Sequence, residues 1–198
     1  IAVLATFLFL IGVFAYFRKD LPNLRDISGN NIGGSITYYD RTGQTLLWED
    51  YDAVKRIPVK NEAISNYLKM ATVATEDKDF YKHGGFDVRG IMRAFVSTVF
   101  HQQIQGGSTL TQQLVKNTLL TPEQTIPRKL KEVVLAYATE TLYPKSKILE
   151  MYLNEIPYGS NAYGIEAAAR TFFGKPAREL GLDEAALLAA LPAVEVEV

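Results

Sequence analysis

The pattern of apolar and polar positions divides the chain into an apolar start, a short β segment and a long helical region. Residues 1–17 carry no charge and are almost all apolar or aromatic. Residues 35–40 and 45–51 are rich in Ile, Tyr, Thr, Leu and Trp and are separated by turn residues, which predicts a hairpin. From Asn61 onward, apolar residues recur at helical spacing. The predicted fold is therefore mainly α-helical, with a small β-hairpin segment ahead of the helices.

Start and stop signals divide the helical region into separate helices. The first helix runs toward Glu76, which falls near its C-terminal end. Thr109 and Gln112 have the spacing of a capping box, so a helix is predicted to start just after the two glycines at 106 and 107. Other helices are predicted to start at Asp87, at 121–124 and at Ser146, and to cover 164–173 and 182–191.

The helix that follows residue 124 has two different sides. Its predicted apolar side consists of Leu130, Val134, Tyr137 and Thr141. Its other side consists of Arg128, Lys131, Glu132 and Leu135.

Residues 1–17 would form an apolar helix about 25 Å long, at the short end for a membrane span. A cleavable signal peptide is the alternative, but the small-residue cleavage site and the polar start of a mature chain are missing. We therefore predict an uncleaved anchor. Arg18 and Lys19 would by themselves place the rest of the chain in the cytoplasm. We expect the opposite orientation, determined by positive charge ahead of residue 1.

Composition excludes several kinds of site. The formal net charge is -1, so the chain lacks the global positive field of a nucleic-acid-binding protein, and no nucleic-acid partner is expected. The absence of cysteine removes disulfides, thiolate zinc sites and cysteine nucleophiles. With only His83 and His101, a histidine-rich metal site is disfavoured. Any anion site must therefore be a local cluster of cations.

The sequence EDKDFYKHGG at 76–85 contains the first candidate for chemistry. Glu76, near a helix end and beside aromatic residues, is a candidate general base. The alternative is a solvated acid in a charged run. Asp77 is a candidate hydrogen-bond acceptor that holds the loop at the helix end. His83 is a candidate catalytic group, although a lone histidine before two glycines is more often structural.

The sequence GGSTLTQQLVKN at 106–117 places two glycines ahead of a polar helix start. Unpaired backbone N–H groups at a helix N-terminus favour an anion, and Ser108 and Thr109 add hydroxyl donors. Gln112, Gln113 and Lys116 follow within two turns, at spacings that bring side chains onto a shared face. The alternative is an ordinary capped helix with a polar exterior.

The sequence RKLKE at 128–132 is a cationic cluster. Several cations in one helical turn can hold a diphosphate, with Arg128 as a planar fork and Lys129 and Lys131 as point charges. The alternative is a solvated helix end with an Arg128–Glu132 pair at i, i+4.

Together these segments meet the needs of a glycosyl diphosphate. Its leaving group requires cations that take up the departing charge, and the attacking hydroxyl requires one base. Glu76 and the Lys/Arg cluster fit that requirement. Glu76 and Glu132 could instead be the two carboxylates of a glycoside hydrolase. The cations beside Glu132 favour diphosphate displacement.

The three segments resemble the first three motifs of the peptidoglycan glycosyltransferases. ILEMYLN at 148–154, with Gly159 after it, resembles the fourth motif. GIEAA at 164–168 and FFGK at 172–175 resemble the fifth. Five motifs in chain order make a specific match. The span followed by ITYYDRTG at 36–43 and RIPV at 56–59 further resembles the start of class A penicillin-binding proteins.

The resemblance implies a lysozyme-like α-helical domain that polymerises lipid II into β-1,4 glycan strands, with inversion at the donor sugar and release of undecaprenyl diphosphate. It divides the chain into a transmembrane anchor over 1–19, a linker and small β segment over 20–60, and the glycosyltransferase domain over 61–198. A transpeptidase domain is expected beyond residue 198. Residues 193–198 depart from the family, in which further helices follow, so we expect a truncated domain.

By resemblance, Glu76 is the general base that deprotonates the acceptor's 4-hydroxyl, and Glu132 is a second essential acid. The residues expected to hold the donor diphosphate are Lys116, Arg128 and Lys129. The residues expected to shape or line the cleft are Asp77, Phe80, His83, Thr109, Gln113 and Asn154. The expected substrate-binding set is completed by Ser108, Gln112, Asn117 and Lys131.

The resemblance also implies the surroundings of the enzyme. Its expected partners are lipid II, the growing glycan strand and the bilayer. Its expected location is the bacterial cell membrane, with a single span and the catalytic domain on the extracytoplasmic face. The family often uses a divalent cation, Mg²⁺ or Mn²⁺, near the diphosphate, and the sequence assigns no site to it.

Two other functions stay open from the residues themselves. One is a lysozyme-like enzyme that cleaves glycan with Glu76 as its acid and does not require Arg128 and Lys129. The other is a non-catalytic, membrane-anchored module that binds lipid II.

Overall fold

The computed structural model describes residues 36–50, 55–87, 107–120 and 125–194, together with the isolated positions 12, 90 and 123. Apart from residue 12, the predicted anchor lies outside these ranges, and so does most of the helix predicted to follow Asp87. Among the residues that are described, no helix combines the length and the apolar character needed to cross a bilayer.

The described part of the chain is mainly helical, as predicted. Its elements, in chain order, are β1 (Ile36–Tyr39), β2 (Leu46–Asp50), β3 (Lys55–Arg56), α1 (Asn66–Glu76), α2 (Leu110–Leu119), α3 (Ile126–Leu142), α4 (Lys145–Glu155), β4 (Ala162–Tyr163), α5 (Ile165–Phe173) and α6 (Leu182–Val194). Short 3-10 turns cover Asn61–Ala63 and Ala177–Glu179.

The predicted hairpin is formed by β1 and β2. The two strands pair antiparallel, with Ile36 opposite Asp50 and one register shift near the turn. Asp40 organises the turn, because its Oδ1 accepts from the backbone N–H of Thr42 at 3.0 Å and from the Thr42 hydroxyl at 2.7 Å. Aspartate is common in turns for this reason.

The core is built around α4. Its residues Ile148, Leu149, Tyr152 and Leu153 are buried, as their helical spacing predicts. α2 packs against both α3 and α4, and α1 packs against α6. The end of α1 contacts the start of α2 through Asp77 and Leu110, and Lys129 of α3 contacts Ser108 just ahead of α2.

The start of α3 differs from the prediction. The helix begins at Ile126 and not at the signal over 121–124. Thr125 is its N-cap, with a side chain that accepts from the backbone N–H of Arg128 at 3.3 Å. Pro127 supplies the proline of the first turn. The sequence holds two threonine-and-proline signals in close succession, and the helix uses the second.

The buried side of α3 also differs from the predicted one, of which Val134 alone is buried. Tyr137, on the predicted apolar side, is 50% exposed. The fully buried positions are Glu132, Leu135, Ala136 and Thr139. The prediction was wrong because it treated the charge of Glu132 as a mark of an outer side. That charge is compensated by Arg128 and Lys129, so the side that carries it packs inward.

A clamp from α4 holds the chain ahead of α1. Asn154 Oδ1 accepts from the N–H of Val59 at 2.9 Å, and its Nδ2 donates to the Val59 carbonyl at 2.8 Å. Gly164 passes close to the same asparagine, with φ 77° and ψ 156°, a region open almost only to glycine. A Cβ at Gly164 would lie 2.5 Å from the Asn154 carbonyl oxygen. The close approach therefore requires glycine.

Replacing Gly164 with alanine is expected to lower the free energy of unfolding by about 3 kcal/mol or more, because backbone strain and steric overlap act together. The matched control is Gly174→Ala, at φ 68°, where an added Cβ meets nothing within 4 Å. Its expected cost is about 1 kcal/mol, from the left-handed conformation alone. Urea unfolding followed by circular dichroism measures both changes. If both substitutions lower the free energy of unfolding equally, steric overlap with Asn154 does not contribute to the requirement for glycine at 164.

Candidate active site

Glu76 ends α1, and its carboxylate contacts α2. The side chain Nε2 of Gln113 donates to Glu76 Oε2 at 2.8 Å. The other oxygen, Oε1, is buried and has no hydrogen-bond partner among the described residues. A buried carboxylate oxygen without a donor is costly and calls for an explanation. Its free acceptor capacity makes Oε1 a candidate to receive a proton.

Asp77 joins three parts of the site. Both of its carboxylate oxygens lie 2.9 Å from His83 Nε2, and Oδ2 also accepts from the backbone N–H of Leu110 at 3.1 Å. Leu110 is the first residue of α2, where backbone N–H groups lack helical partners and favour an anion. Asp77 therefore holds both the 78–85 loop and the start of α2. The contact of His83 with Asp77 agrees with a structural role for this histidine in the loop.

The predicted capping box is present at the start of α2. The Thr109 hydroxyl accepts from the N–H of Gln112 at 3.2 Å, and Gln112 Oε1 accepts from the N–H of Thr109 at 2.9 Å. Thr109 also donates its hydroxyl to the Gly85 carbonyl at 2.7 Å. Both side chains are buried. Within the described residues, the contacts of Thr109 and Gln112 are thus internal, and their substrate-binding roles stay predictions.

The cationic cluster is organised around Glu132, which is 1% exposed. Lys129 pairs with Glu132 Oε1, and Arg128 Nη1 lies 3.4 Å from Glu132 Oε2. Lys129 Nζ also donates to the Ser108 hydroxyl at 2.7 Å. One buried carboxylate therefore orients two cations and ties the start of α3 to the residues just ahead of α2.

A groove of about 410 Å³ brings together three of the predicted substrate-binding residues, Lys116, Asn117 and Arg128. The remaining residues that line it are Leu120, Glu155, Pro157 and Tyr163. Among the described residues, Lys116 has no ion-pair partner, whereas Arg128 is held by Glu132. The groove thus presents a point charge and a planar guanidinium to any anion that enters it.

The wall of the groove that Glu155 and Tyr163 form was not predicted from the sequence. Glu155 pairs with Arg56 at 3.3 Å, and the Arg56 guanidinium lies 5.3 Å from the ring centroid of Tyr163. Burial raises the pKa of Glu155, and the charge of Arg56 opposes part of that rise. Arg56 reaches this wall because β3 and β4 pair in parallel, with Arg56 opposite Tyr163. No local pattern in the sequence predicts the contact of Arg56 with Glu155, whose partners are 99 residues apart.

One helix, α2, links the carboxylate to the groove. Gln113, which contacts Glu76, lies three and four residues before Lys116 and Asn117, which line the groove. Residues at these spacings are neighbours on a helix surface. Gln113, the hydrogen-bond donor to Glu76, and Lys116 are therefore neighbours on one face of α2.

Three other predicted residues have contacts away from the groove. Phe80 is fully buried in the core, where Lys145 Nζ lies 4.3 Å from its ring centroid. Asn154 uses its side chain in the clamp on Val59. Lys131 lies on α3 and is not among the residues that line the groove. Direct contact of these residues with substrate stays a prediction.

The described residues offer no protein cage for the divalent cation that the resemblance implies. Within 36–50, 55–87, 107–120 and 125–194, no three His, Cys, Asp or Glu side chains are close enough to hold a metal ion. The acid next to the cations, Glu132, has both oxygens engaged. The dependence on a metal stays a prediction.

Comparison with known proteins gives a consistent set of relatives. A family model described as transglycosylase matches residues 42–195. The chain is 44% identical over 191 residues to penicillin-binding protein 1A of Aquifex aeolicus (strain VF5), covering 96% of this chain and 26% of the relative. It is 40% identical over 184 residues to penicillin-binding protein 1A of Escherichia coli (strain K12), covering 92% and 21%. The chain spans about a quarter of the length of the curated relatives it matches.

The family predicted from the five motifs is confirmed by these matches. The family model covers most of the chain, and the identities extend over nearly all of it. The described helices, with few strands, agree with this assignment. The chain belongs to the transglycosylase family and is of the type found in class A penicillin-binding proteins.

Proposed function

We propose that this chain, a peptidoglycan glycosyltransferase by family, polymerises lipid II into β-1,4 glycan strands and releases undecaprenyl diphosphate. The observation that carries the proposal is that one face of α2 joins a carboxylate to a cationic groove. Gln113 on that face contacts Glu76, and Lys116 lines the groove together with Arg128. Through Gln113 and Lys116, one helix thus contacts the base for the acceptor hydroxyl and supplies one of the cations for the departing diphosphate.

The diphosphate of the donor binds in the groove. Lys116 supplies a point charge, and Arg128 supplies a fork of N–H donors that matches phosphate oxygens. Glu132 already orients Arg128, so little rearrangement is needed when negative charge develops on the leaving group. No acid is required to protonate that group, because the cations neutralise it.

Glu76 acts as the base. Oε1, which has no partner among the described residues, takes the proton of the acceptor's 4-hydroxyl, while Gln113 holds Oε2. The 4-oxygen of the acceptor, once its proton has passed to Glu76, attacks the anomeric carbon of the donor as the bond from that carbon to the diphosphate breaks. A single displacement from the face opposite the leaving group inverts that carbon.

The contacts of Glu132 disfavour the hydrolase alternative. A glycoside hydrolase needs two carboxylates beside the scissile bond, one of which delivers a proton or receives one from water. Oε1 of Glu132 accepts from Lys129 and Oε2 from Arg128. The two cations hold Glu132 in its charged form, which disfavours a role as the proton donor of a hydrolase. Glu132 fits better as the counter-ion that orients the two cations.

The setting of the reaction belongs to the same proposal. A substrate on a polyprenyl chain is held in a bilayer, and the apolar run over 1–17 would keep the domain next to it. The domain then acts on the extracytoplasmic face of the bacterial cell membrane, on lipid II and the growing glycan strand. Because the chain spans about a quarter of its relatives' length, a transpeptidase domain beyond residue 198 is part of the proposal.

Replacing Glu76 with glutamine is expected to reduce lipid II polymerisation by about 100- to 10,000-fold, because the amide cannot take the proton. Binding of lipid II should persist, since the shape and the acceptor for Gln113 are kept. Gel analysis of glycan products from labelled lipid II measures the first quantity, and fluorescence anisotropy measures the second.

The matched control for this substitution is Glu62→Gln, which removes an exposed acid just ahead of α1. It should polymerise at the wild-type rate. Full activity in Glu76→Gln would rule out the assigned base. Short, water-cleaved products from the wild type would favour the hydrolase, and binding without any product would favour the non-catalytic module.

Replacing Lys116 with methionine is expected to lower kcat/KM for polymerisation by about 10- to 100-fold, the cost of one charge-assisted contact with the diphosphate. Methionine keeps much of the apolar stem, so the groove should retain its shape. The control is Lys60→Met, which removes an exposed cation outside the groove. Steady-state rates with lipid II compare the two. If both variants lose activity equally, the loss comes from the lower net positive charge of the protein and not from a contact made in the groove.

A further inference from the structure

A directional chain of hydrogen bonds connects the core to the base. Tyr152, on α4, donates its hydroxyl to Gln113 Oε1 at 3.1 Å. Gln113 Nε2 then donates to Glu76 Oε2 at 2.8 Å. Tyr152 is fully buried, and its ring belongs to the hydrophobic core. Core packing therefore fixes the Tyr152 end of this series of hydrogen bonds.

We infer that Tyr152 is a positioning residue, which acts through the Gln113 amide to hold the Glu76 carboxylate with Oε1 free to receive the proton. This inference rests on the proposed function, in which Glu76 is the base. Tyr152 itself need not touch substrate, because its hydroxyl is spent on Gln113.

The direction of the chain follows from what each group can donate. A glutamine amide has an acceptor end and a donor end, and its terminal torsion is soft. The acceptor end accepts the hydrogen bond from the Tyr152 hydroxyl, which leaves the donor end for Glu76. Burial raises the pKa of the Tyr152 phenol, and the charge of Glu76 raises it further, so the hydroxyl keeps its proton. A flipped amide would instead turn its carbonyl toward the carboxylate.

A second buried tyrosine provides a matched comparison. Tyr158 is also in the core, and its hydroxyl has no hydrogen-bond partner among the described residues. Burial and the charge of Glu76 raise the pKa of Tyr158 as well. Tyr158 therefore shares the burial and the electrostatic setting of Tyr152, but it lacks the contact with Gln113.

The kinetic test compares Tyr152→Phe with Tyr158→Phe in the full-length protein, using lipid II polymerisation. Tyr152→Phe should lower kcat by about 10- to 100-fold, as loss of orientation does, and leave KM within about twofold. Tyr158→Phe should match the wild type. In a Gln113→Ala background, Tyr152→Phe should cause no further loss, because its effect passes through Gln113.

Three kinetic results would overturn the inference. The first is a wild-type kcat in Tyr152→Phe. The second is an equal loss in Tyr158→Phe, which would indicate a general effect of core hydroxyls. The third is a loss from Tyr152→Phe that adds in full to that of Gln113→Ala, as a purely structural role would produce.

A spectroscopic readout separates failure of this inference from failure of the proposed function. In protein with isotope-labelled glutamine, the side-chain amide protons of Gln113 should exchange slowly with solvent in the wild type and in Tyr158→Phe. They should exchange fast in Tyr152→Phe. This pattern shows that Tyr152 orients the Gln113 amide even if the wild type makes no glycan, and the failure then belongs to the proposed function and not to the positioning contact. A fast-exchanging Gln113 amide in the wild type overturns the inference even if Glu76→Gln abolishes polymerisation, and it does so whether or not Tyr152→Phe folds.

Discussion

The site depends on the carboxylate of Asp77. It accepts from His83 in the loop that follows α1 and from the first backbone N–H of α2. A buried charge is tolerated there because the helix N-terminus and the imidazole both favour an anion. Glu76 precedes Asp77 directly, and Gln113 lies one turn into the helix that Asp77 holds. Asp77 therefore fixes the distance between Glu76 and Gln113, because it is adjacent to Glu76 and contacts the first turn of the helix that carries Gln113.

The three acids of the site differ in how completely their charge is compensated. Asp77 has donors on both oxygens, and so has Glu132, between Lys129 and Arg128. Glu76 has a donor on one oxygen only. The two acids with donors on both oxygens hold elements together. The oxygen without a donor marks the place where a proton can be accepted, since natural proteins rarely leave such a group without a use.

The sequence predicted the features that depend on near neighbours along the chain. The capping box of Thr109, the end of α1 at Glu76 and the buried positions of α4 all follow from spacings of a few residues. It did not predict the Arg56–Glu155 pair or the clamp of Asn154 on Val59, whose partners are 99 and 95 residues apart. Such contacts depend on how the elements pack, which no local pattern contains. The inward side of α3 was missed for a different reason: Arg128 and Lys129 are near neighbours of Glu132 in the sequence, at i, i+4 and i, i+3 spacing, but the spacing alone does not show whether such ion pairs face solvent or the core.

Local charge explains how a chain with a net charge of -1 can offer an anion site. Arg128 and Lys129 share a single carboxylate, Glu132, so their cluster keeps a positive surplus. Glu155, an acid that lines the groove, is paired with Arg56 and does not cancel that surplus. Lys116 adds a cation with no ion-pair partner among the described residues. The groove is thus positive because each of its acids is matched internally, which leaves a positive charge that can attract an anion.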